Sequence, residues 1–379
     1  MKILSIETSC DETSAAVITD QNGSIEVISN ITATSLLLHA ATGGIIPENA
    51  ARMQVKYIIP VIVEALLKSK KIKASNVKDD WEVSRQILKN DIDAIAVTYG
   101  PGLIGSLLVG VESAKTLSFV FKKPLIPVNH LLAHIYANFI RDDDNLLLTT
   151  NKLEINNTPE ARSQKPEDIS FPFVGLIVSG GHTDLLLFKS NKKYNWLGGT
   201  RDDACGEALD KIGRLLDLPY PAGAEIERRS NLFLKTKKKS LVKFKSPIIN
   251  SEDFDFSFSG LKTEALRFVQ KNPKMNDHLK NEICYATQKA VIDVLVKKTI
   301  DAALKYNSKT ILVGGGVSAN QTFISQLKLN AKSLLDAEVF SPEKVYCTDN
   351  AAMIGAYALL NPEEKEWKEV IANPELYFE

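Results

Sequence analysis

Much that would point to a simple function is missing from this chain. Its four cysteines, Cys10, Cys205, Cys284 and Cys347, are scattered through 379 residues and form no CxxC pair. Neither a disulfide framework nor a zinc knuckle is therefore expected, and a reducing, cytoplasmic setting fits. Charge of one sign is missing too: Lys+Arg and Asp+Glu are both 46. A neutral molecule has no overall pull towards nucleic acid or membrane, so any polyanion must be met by a local basic patch. Long apolar runs are broken by Gly, Pro and charge, so no membrane span and no membrane partner are expected. The strand expected from Lys2 leaves no room for a signal or transit segment. No Walker A pattern, GxxxxGK(S/T), occurs.

What is present suits a soluble α/β protein with more than one core: 44% hydrophobic and 24% charged residues over a length that usually splits into two domains. Residues 3–18, ILSIETSCDETSAAVI, place two apolar runs around a polar turn. Residues 173–188, FVGLIVSGGHTDLLLF, do so again about 170 positions later. Two such hairpins suggest a duplicated unit. Between and after them, strand patterns alternate with helical ones, which argues largely parallel connections. A helix is expected over 46–70, kinked or broken at Pro60. Residues 68–86 read as a charged linker, and 145–170 as a polar surface insertion. The expected division is 1–128 plus about 345–379 for an N-terminal subdomain, and 129–344 for a C-terminal one.

Several stretches could carry chemistry. In SGGHT, residues 179–183, two glycines can leave backbone N–H groups open to an oxyanion, though an ordinary hairpin turn would look the same. GGGVSANQ, residues 314–321, follows an apolar strand and opens a helix, a place where a nucleotide can lie. It lacks the GxGxxG fingerprint. Asn320 there could bond a ribose or base, or simply cap the helix. GPGLIGS, residues 100–106, is a third glycine loop. His130 and His134 stand at i and i+4, which is metal-ligand spacing and equally that of two packed histidines. The residue after His130 is Leu131, so the glutamate of a zincin-type protease is missing. Glu7, Asp11 and Glu12 crowd the first turn. Asp203, Glu207 and Asp210 fall on one helix face, where Lys211 and Arg214 could pair with them. The lysine-rich run KTKKKSLVKFK, residues 235–245, matters only if the substrate is RNA.

Taken in order, IETSCDETSAAV, GGIIPENAAR, TYGPGLIGSLLVG, LIVSGGHT, DDACGEALDK, FSFSGLKT, GGGVSANQ and CTDNAAMI resemble the universal tRNA N6-adenosine threonylcarbamoyltransferase family over nearly the whole chain. Its members include bacterial, mitochondrial and KEOPS-complex enzymes. The resemblance implies two duplicated RNase H-like domains of the actin/Hsp70/sugar-kinase superfamily, with a nucleotide in the cleft between them. It implies transfer of a threonylcarbamoyl group from threonylcarbamoyl-AMP to N6 of the adenosine 3′ of the anticodon in tRNAs that read ANN codons. It also implies one divalent metal, iron or zinc, held by His130, His134 and Asp349. By the same match Ile177, Val178, Ser179, Gly180 and Gly181 would cradle phosphate and acyl oxygens. Asp210 and Gly223 would meet the ribose, and Asn320 the adenine side. Asp11 and Glu12 would lie near the acyl group, one of them taking the N6 proton. The implied partners are tRNA with TsaB- and TsaE-like proteins, or a second copy if the chain works like the mitochondrial homodimers; residues 43–70 are the expected subunit contact. Two motifs depart from the family: HLLAH stands where HxEGH is usual, and YPAGA, residues 220–224, where YPGGP is usual. A sugar kinase or chaperone-like ATPase of the same superfamily is the alternative, but it has no use for the histidine pair.

Overall fold

The computed structural model describes residues 1–21, 24–35, 44–141 and 169–378. Contacts divide the chain into two units. The first comprises Met1–Ala33, Ala51–Ser170 and Asn350–Leu376; the second comprises Thr34–Ala50, Phe171–Asp349 and Tyr377–Glu379.

In the first unit, β1 (Lys2–Glu7) and β2 (Glu12–Gln21) form the expected hairpin, with Lys2 opposite Thr19 and Glu7 opposite Ser14. β3 (Ser24–Thr34) follows. β4 (Ala94–Gly100) lies parallel to β1, and β5 (Leu125–Asn129) parallel to β4. With the short β6 (Ile140–Arg141), the sheet order is β5-β4-β1-β2-β3-β6. β1 and β4 are buried along nearly their whole length because helices cover the sheet. Leu4, Ile6, Val17, Ile95 and Val97 pack with Ile58, Ile62 and Leu66 of the helix Pro47–Ser69 and with Val111 of the helix Ile104–Phe121. The latter helix is long and apolar enough to cross a membrane by length and composition. Val111, Ala114 and Leu117 along it are buried in this core.

The second unit repeats the plan. β7 (Phe173–Val178) and β8 (Thr183–Ser190) form the second hairpin, Phe173 opposite Phe188, and β9 (Lys193–Gly199) extends it. β10 (Thr310–Gly314) runs parallel to β7, and β11 (Glu338–Phe340) parallel to β10, giving β11-β10-β7-β8-β9. The core joins Val174, Leu176, Leu185 and Ile311 to Ile212, Phe256, Ile283 and Leu295. Apart from β6, the two sheets have one topology, and the duplicated α/β architecture expected from the hairpins is present.

Some expectations need correction. Pro60 neither breaks nor ends its helix, which runs unbroken as Pro47–Ser69; Pro60 is exposed there, so one missing backbone bond falls on the solvent side. The charged linker at 68–86 is largely a helix, Val77–Asn90, begun by Asn76 accepting from Asp79 N–H. The expected boundary at residue 129 differs from the observed division. The helix His130–Tyr136 continues straight from β5 and packs on Ala351–Leu360, with Tyr136 and Tyr357 rings 4.9 Å apart, so it belongs to the first unit. The insertion expected at 145–170 lies, except for its last two residues, outside the described residues.

Candidate functional site

The turn after β1 is fastened from three directions. Gln54 donates from Nε2 to the carbonyls of Thr8, Cys10 and Glu12 at 3.4, 3.1 and 2.9 Å. Ser106 Oγ donates to Cys10 O at 2.9 Å, and Leu103 N–H to Ser9 O at 2.8 Å. Asp11 is buried in this turn, and Glu12 opens β2 half-buried. A polar turn with this many backbone bonds is held in one shape, which suits positioning carboxylates.

Glu7, the last residue of β1, is completely buried. Its carboxylate accepts from Ser9 N–H at 2.5 Å and from the Thr98 hydroxyl, and stands 3.1 Å from His130 Nδ1. Ser9 Oγ lies 3.1 Å from the same nitrogen. A carboxylate at Nδ1 fixes the ring and leaves Nε2 to face a ligand. Asn129 caps the short helix by accepting from Leu131 N–H at 2.9 Å. The helix then brings His134 one turn on, buried, its ring centroid 4.7 Å from that of His130.

Asp349 reaches this helix through the chain itself. It precedes Asn350, which caps the helix Ala351–Leu360 by accepting from Met353 N–H at 3.1 Å. That helix start is pinned to the first hairpin: Ala351 N–H donates to Ser14 Oγ at 2.9 Å, and Ser5 Oγ donates to Ala351 O at 2.6 Å. One ligand atom each from His130, His134 and Asp349 lies within 4.8 Å of the others. Two ligands at about 2.1 Å from one ion stand at most roughly 4.2 Å apart, so a small inward movement completes the set. Two imidazoles and one carboxylate, with a second carboxylate behind one imidazole, fit a divalent cation.

At the corresponding end of the second unit, the residues expected to bind substrate are drawn together. Ile177 and Val178 end β7 and Ser179, Gly180 and Gly181 form the turn. Gly315 has φ +96, and a side chain there would run into Val178 O, so only glycine lets β10 turn beside β7. Gly206 is the other close approach: a Cβ would stand 2.6 Å from Ser179 O. It lies in the first turn of the helix Cys205–Leu215, whose start is tied to β8 by Cys205 N–H donating to Thr183 Oγ1 at 2.9 Å. Asp210, on that helix, accepts from Ala222 N–H at 2.7 Å, just before Gly223 opens the helix Gly223–Lys235. Burial pushes the Asp210 carboxyl above its ordinary range, against the opposing pull of that bond and of Arg214. Glu227 then accepts from Thr322 N–H at 3.0 Å, linking the helix to Gln321–Leu335. Contacts thus run from the turn 177–181 through Gly206 and Asp210 to Gly223, and through Glu227 to the helix that Asn320 caps.

Three details show how these side chains are held. The amides of Gly181 and His182 donate to Ser179 Oγ at 3.3 and 3.1 Å, so in this conformation the loop closes on its own serine instead of presenting both amides outward. Asn320 caps its helix, accepting from Phe323 N–H at 2.9 Å, while its Nδ2 lies 3.3 Å from Gln288 Oε1. Asp203 and Glu207 pair with Lys211 at 2.5 and 2.8 Å, leaving Asp210 as the acid of that cluster turned inward. Ala222 is buried with its methyl against Gly213. None of the four cysteines forms a disulfide; burial pushes the Cys205 and Cys284 thiols up to about 12, so neither is a poised nucleophile. Sequence reasoning did not single out Gln54, Glu227 or the role of Glu7 behind His130. The one signal was an acid ending an otherwise apolar strand.

Known proteins resemble this chain in sequence and in fold. The TsaD family profile, described as tRNA N6-adenosine threonylcarbamoyltransferase, matches residues 26–150 and 157–356. A protein of that name from Persephonella marina is 41% identical over 357 residues, covering 93% of this chain and 88% of the relative. Its counterpart from Sulfurihydrogenibium sp. is 42% identical over 356 residues, with 93% and 88% covered. Among solved structures, full-length HypF in the phosphate- and nucleotide-bound form aligns with 97% of this chain at TM-score 0.53 and 12% identity. T. kodakarensis HypF aligns with 94% at TM-score 0.55 and 12% identity. The chain spans about half the length of those two proteins, at 47% and 48%, and the likeness is one of fold.

Proposed function

The chain belongs to the TsaD family of tRNA N6-adenosine threonylcarbamoyltransferases, and from that premise we propose that it moves a threonylcarbamoyl group from threonylcarbamoyl-AMP to N6 of the adenosine 3′ of the anticodon in ANN-decoding tRNAs. The observation that carries this reading is the grouping of His130, His134 and Asp349, three ligands separated by up to 219 positions in sequence, in a chain of this family. A kinase or ATPase of the same fold has no use for such a set.

The reaction sets the tasks. The N6 lone pair attacks the carbamoyl carbon, the bond from that carbon to the phosphate oxygen breaks, AMP leaves, and the N6 proton must go to a base. The donor is a mixed anhydride and already activated, so no covalent enzyme intermediate is required. The purine amine is a weak nucleophile, so rate must come from positioning, from a base and from stabilising the departing phosphate. Asp11 and Glu12 are the carboxylates we assign to this step, one of them receiving the N6 proton. The fastened turn supports that assignment. The divalent ion, iron favoured and zinc the alternative, would be held by His130, His134 and Asp349 and would supply Lewis acidity and a template for donor oxygens. Glu7 keeps His130 in the tautomer that frees Nε2. In the second unit, the turn 177–181 and the adjacent helix N-termini would receive phosphate and acyl oxygens, for which the Ser179 turn must open its amides. Asp210 and Gly223 would meet the ribose. Asn320 would line the adenine side while still capping its helix.

The chain would work with TsaB- and TsaE-like proteins or as a homodimer, in the cytoplasm. The surface we assign to subunit contact carries Val55 and Ile59 on Pro47–Ser69 and Ile104 and Leu108 on Ile104–Phe121, all exposed. These helices approach closely, a Cβ on Gly105 lying 3.1 Å from Ala51 Cβ. V55D/I59D should abolish association in sedimentation while the variant keeps its metal; unchanged association would remove this assignment. The activity is tested by supplying synthetic threonylcarbamoyl-AMP, unmodified ANN-decoding tRNA and the organism's accessory proteins. Mass spectrometry of the nucleosides should show threonylcarbamoyladenosine and release of one AMP per product. AMP release without the modified nucleoside, or ATP consumption by the chain alone, would contradict the proposal.

A further inference from the structure

The transfer chemistry makes no use of the lysines of 235–245. From Arg228 to Ser251 the chain has eight basic residues and no acidic one, although the whole protein is neutral. Six of these, Lys235, Lys237, Lys238, Lys239, Lys243 and Lys245, are exposed, and among the described residues none of their ammonium groups has an ionic or hydrogen-bonding partner. Elsewhere on the same unit the pattern is different. Lys289, Lys297 and Lys332 each pair with an aspartate four residues on, at 2.8, 2.6 and 2.6 Å.

The segment is also built, though it has no regular secondary structure beyond Lys235. Glu282, nearly buried on the helix Asp277–Lys305, accepts from Leu241 and Val242 N–H at 2.5 and 3.0 Å and from Ser240 Oγ at 3.0 Å. Val242 is buried and Phe244 packs on Phe268, their rings 6.1 Å apart. Lys245 N–H donates to Glu264 at 3.0 Å. The alternation therefore turns Val242 and Phe244 inward and Leu241, Lys243 and Lys245 outward, with Leu241 89% exposed. A backbone fixed in this way presents its cations without the ordering cost that a loose polybasic tail carries.

Lysine is a point charge with no planar fork, and the one aromatic of the run faces the core. Such a surface suits a phosphate backbone and is poor at reading base edges. We propose that the loop 235–245 is a docking surface for the phosphate backbone of tRNA, binding without regard to base sequence. This rests on the transferase reading, which supplies the RNA.

The test is the salt dependence of tRNA binding by the full-length protein, measured by fluorescence anisotropy with K237Q/K238Q/K239Q and with a control, K71Q/K73Q/K78Q, that removes three exposed lysines from the first unit. All six positions are solvent-exposed, so both variants should keep the wild-type melting temperature. Each lysine–phosphate pairing removed lowers the slope of log K against log salt by about one. The loop variant should therefore lose about two to three in slope and at least about tenfold in affinity at low salt. The loss should be equal for ANN-decoding and other tRNAs. The control should keep the wild-type slope. In turnover the loop variant should raise KM for tRNA with kcat and donor binding unchanged. A loop variant with the wild-type slope and KM, or a control with an equal loss, overturns the proposal while leaving the transferase reading intact. Wild-type protein that binds tRNA through the loop but never yields modified nucleoside would sink the transferase reading and leave the docking surface standing.

Discussion

Apart from β6, the two sheets share one strand order, yet their first hairpins end in turns of different make. In the first unit the turn carries Thr8, Ser9, Cys10 and Asp11 and is fastened from outside by Gln54, Ser106 and Leu103. In the second it carries Ser179, Gly180 and Gly181 and closes on its own serine hydroxyl. A Cβ at Gly180 or Gly181 would meet nothing within 4 Å. One turn is a rigid mount for carboxylates beside a histidine pair. The other is an open backbone that can exchange an internal bond for a ligand. On the proposed reading, a duplicated scaffold would support two kinds of chemistry by changing only what sits at the same place in the topology.

The comparison can be broken most severely at the carboxylates. If the first turn is the catalytic one, D11N or E12Q should lower kcat by about 10²- to 10⁴-fold with metal content and melting temperature unchanged. A comparable kcat loss from S179A, which touches only the binding turn, would put both turns in one role. Stability gives a smaller contrast. Q54L removes the donor to three carbonyls and should destabilise by about 1–3 kcal/mol, whereas S179A should cost about 0.5–1.5 kcal/mol. Equal urea midpoints for the two variants would show that the first turn owes little to its fastening. The smallest effect is one of pH and sharpens the picture within the second unit. Burial raises the Asp210 carboxyl, so its contribution is present at acid pH and lost as pH rises through its folded pKa. Glu282 goes the other way. Burial works to raise it, but the N–H groups of Val242 and Leu241 and the Ser240 hydroxyl hold it below the usual value. Its contribution is present above the unfolded pKa and lost as pH falls through the folded one. Stability profiles between about pH 3 and 7 should therefore differ from wild type in opposite senses for D210N and E282Q. Shifts of the same sign would contradict the environments described.

Much of this was legible in the sequence, for identifiable reasons. The hairpins show because apolar runs bracket short polar turns, a local pattern. The glycine positions show because a strand that must turn into a helix beside another strand leaves no room for a side chain, as at Gly315. The helix Val77–Asn90 was hidden because its buried stripe is narrow, chiefly Ser84, Ile87 and Leu88, among lysines and acids that read as a linker. Pro60 misled because the local rule assumes that the missing bond matters, and on an exposed face of a long helix it does not stop propagation. At the site, the i, i+4 spacing of His130 and His134 was visible, but Glu7 behind His130 is 123 positions away and becomes adjacent only when β1, β4 and β5 align. Asp210 could not be told from Asp203 and Glu207 by spacing alone. Lys211 takes two of the three, and only the fold shows which one is left facing inward.

Metal stoichiometry of the purified protein and its single-ligand variants tests the central claim most directly. Wild type should hold one divalent transition metal per chain by elemental analysis, and H130A, H134A and D349A should each hold less than about a tenth of that while keeping their fold by circular dichroism. Variants that retain a full equivalent of metal would show that these three side chains do not form one site, and the account of the transfer reaction would lose its anchor.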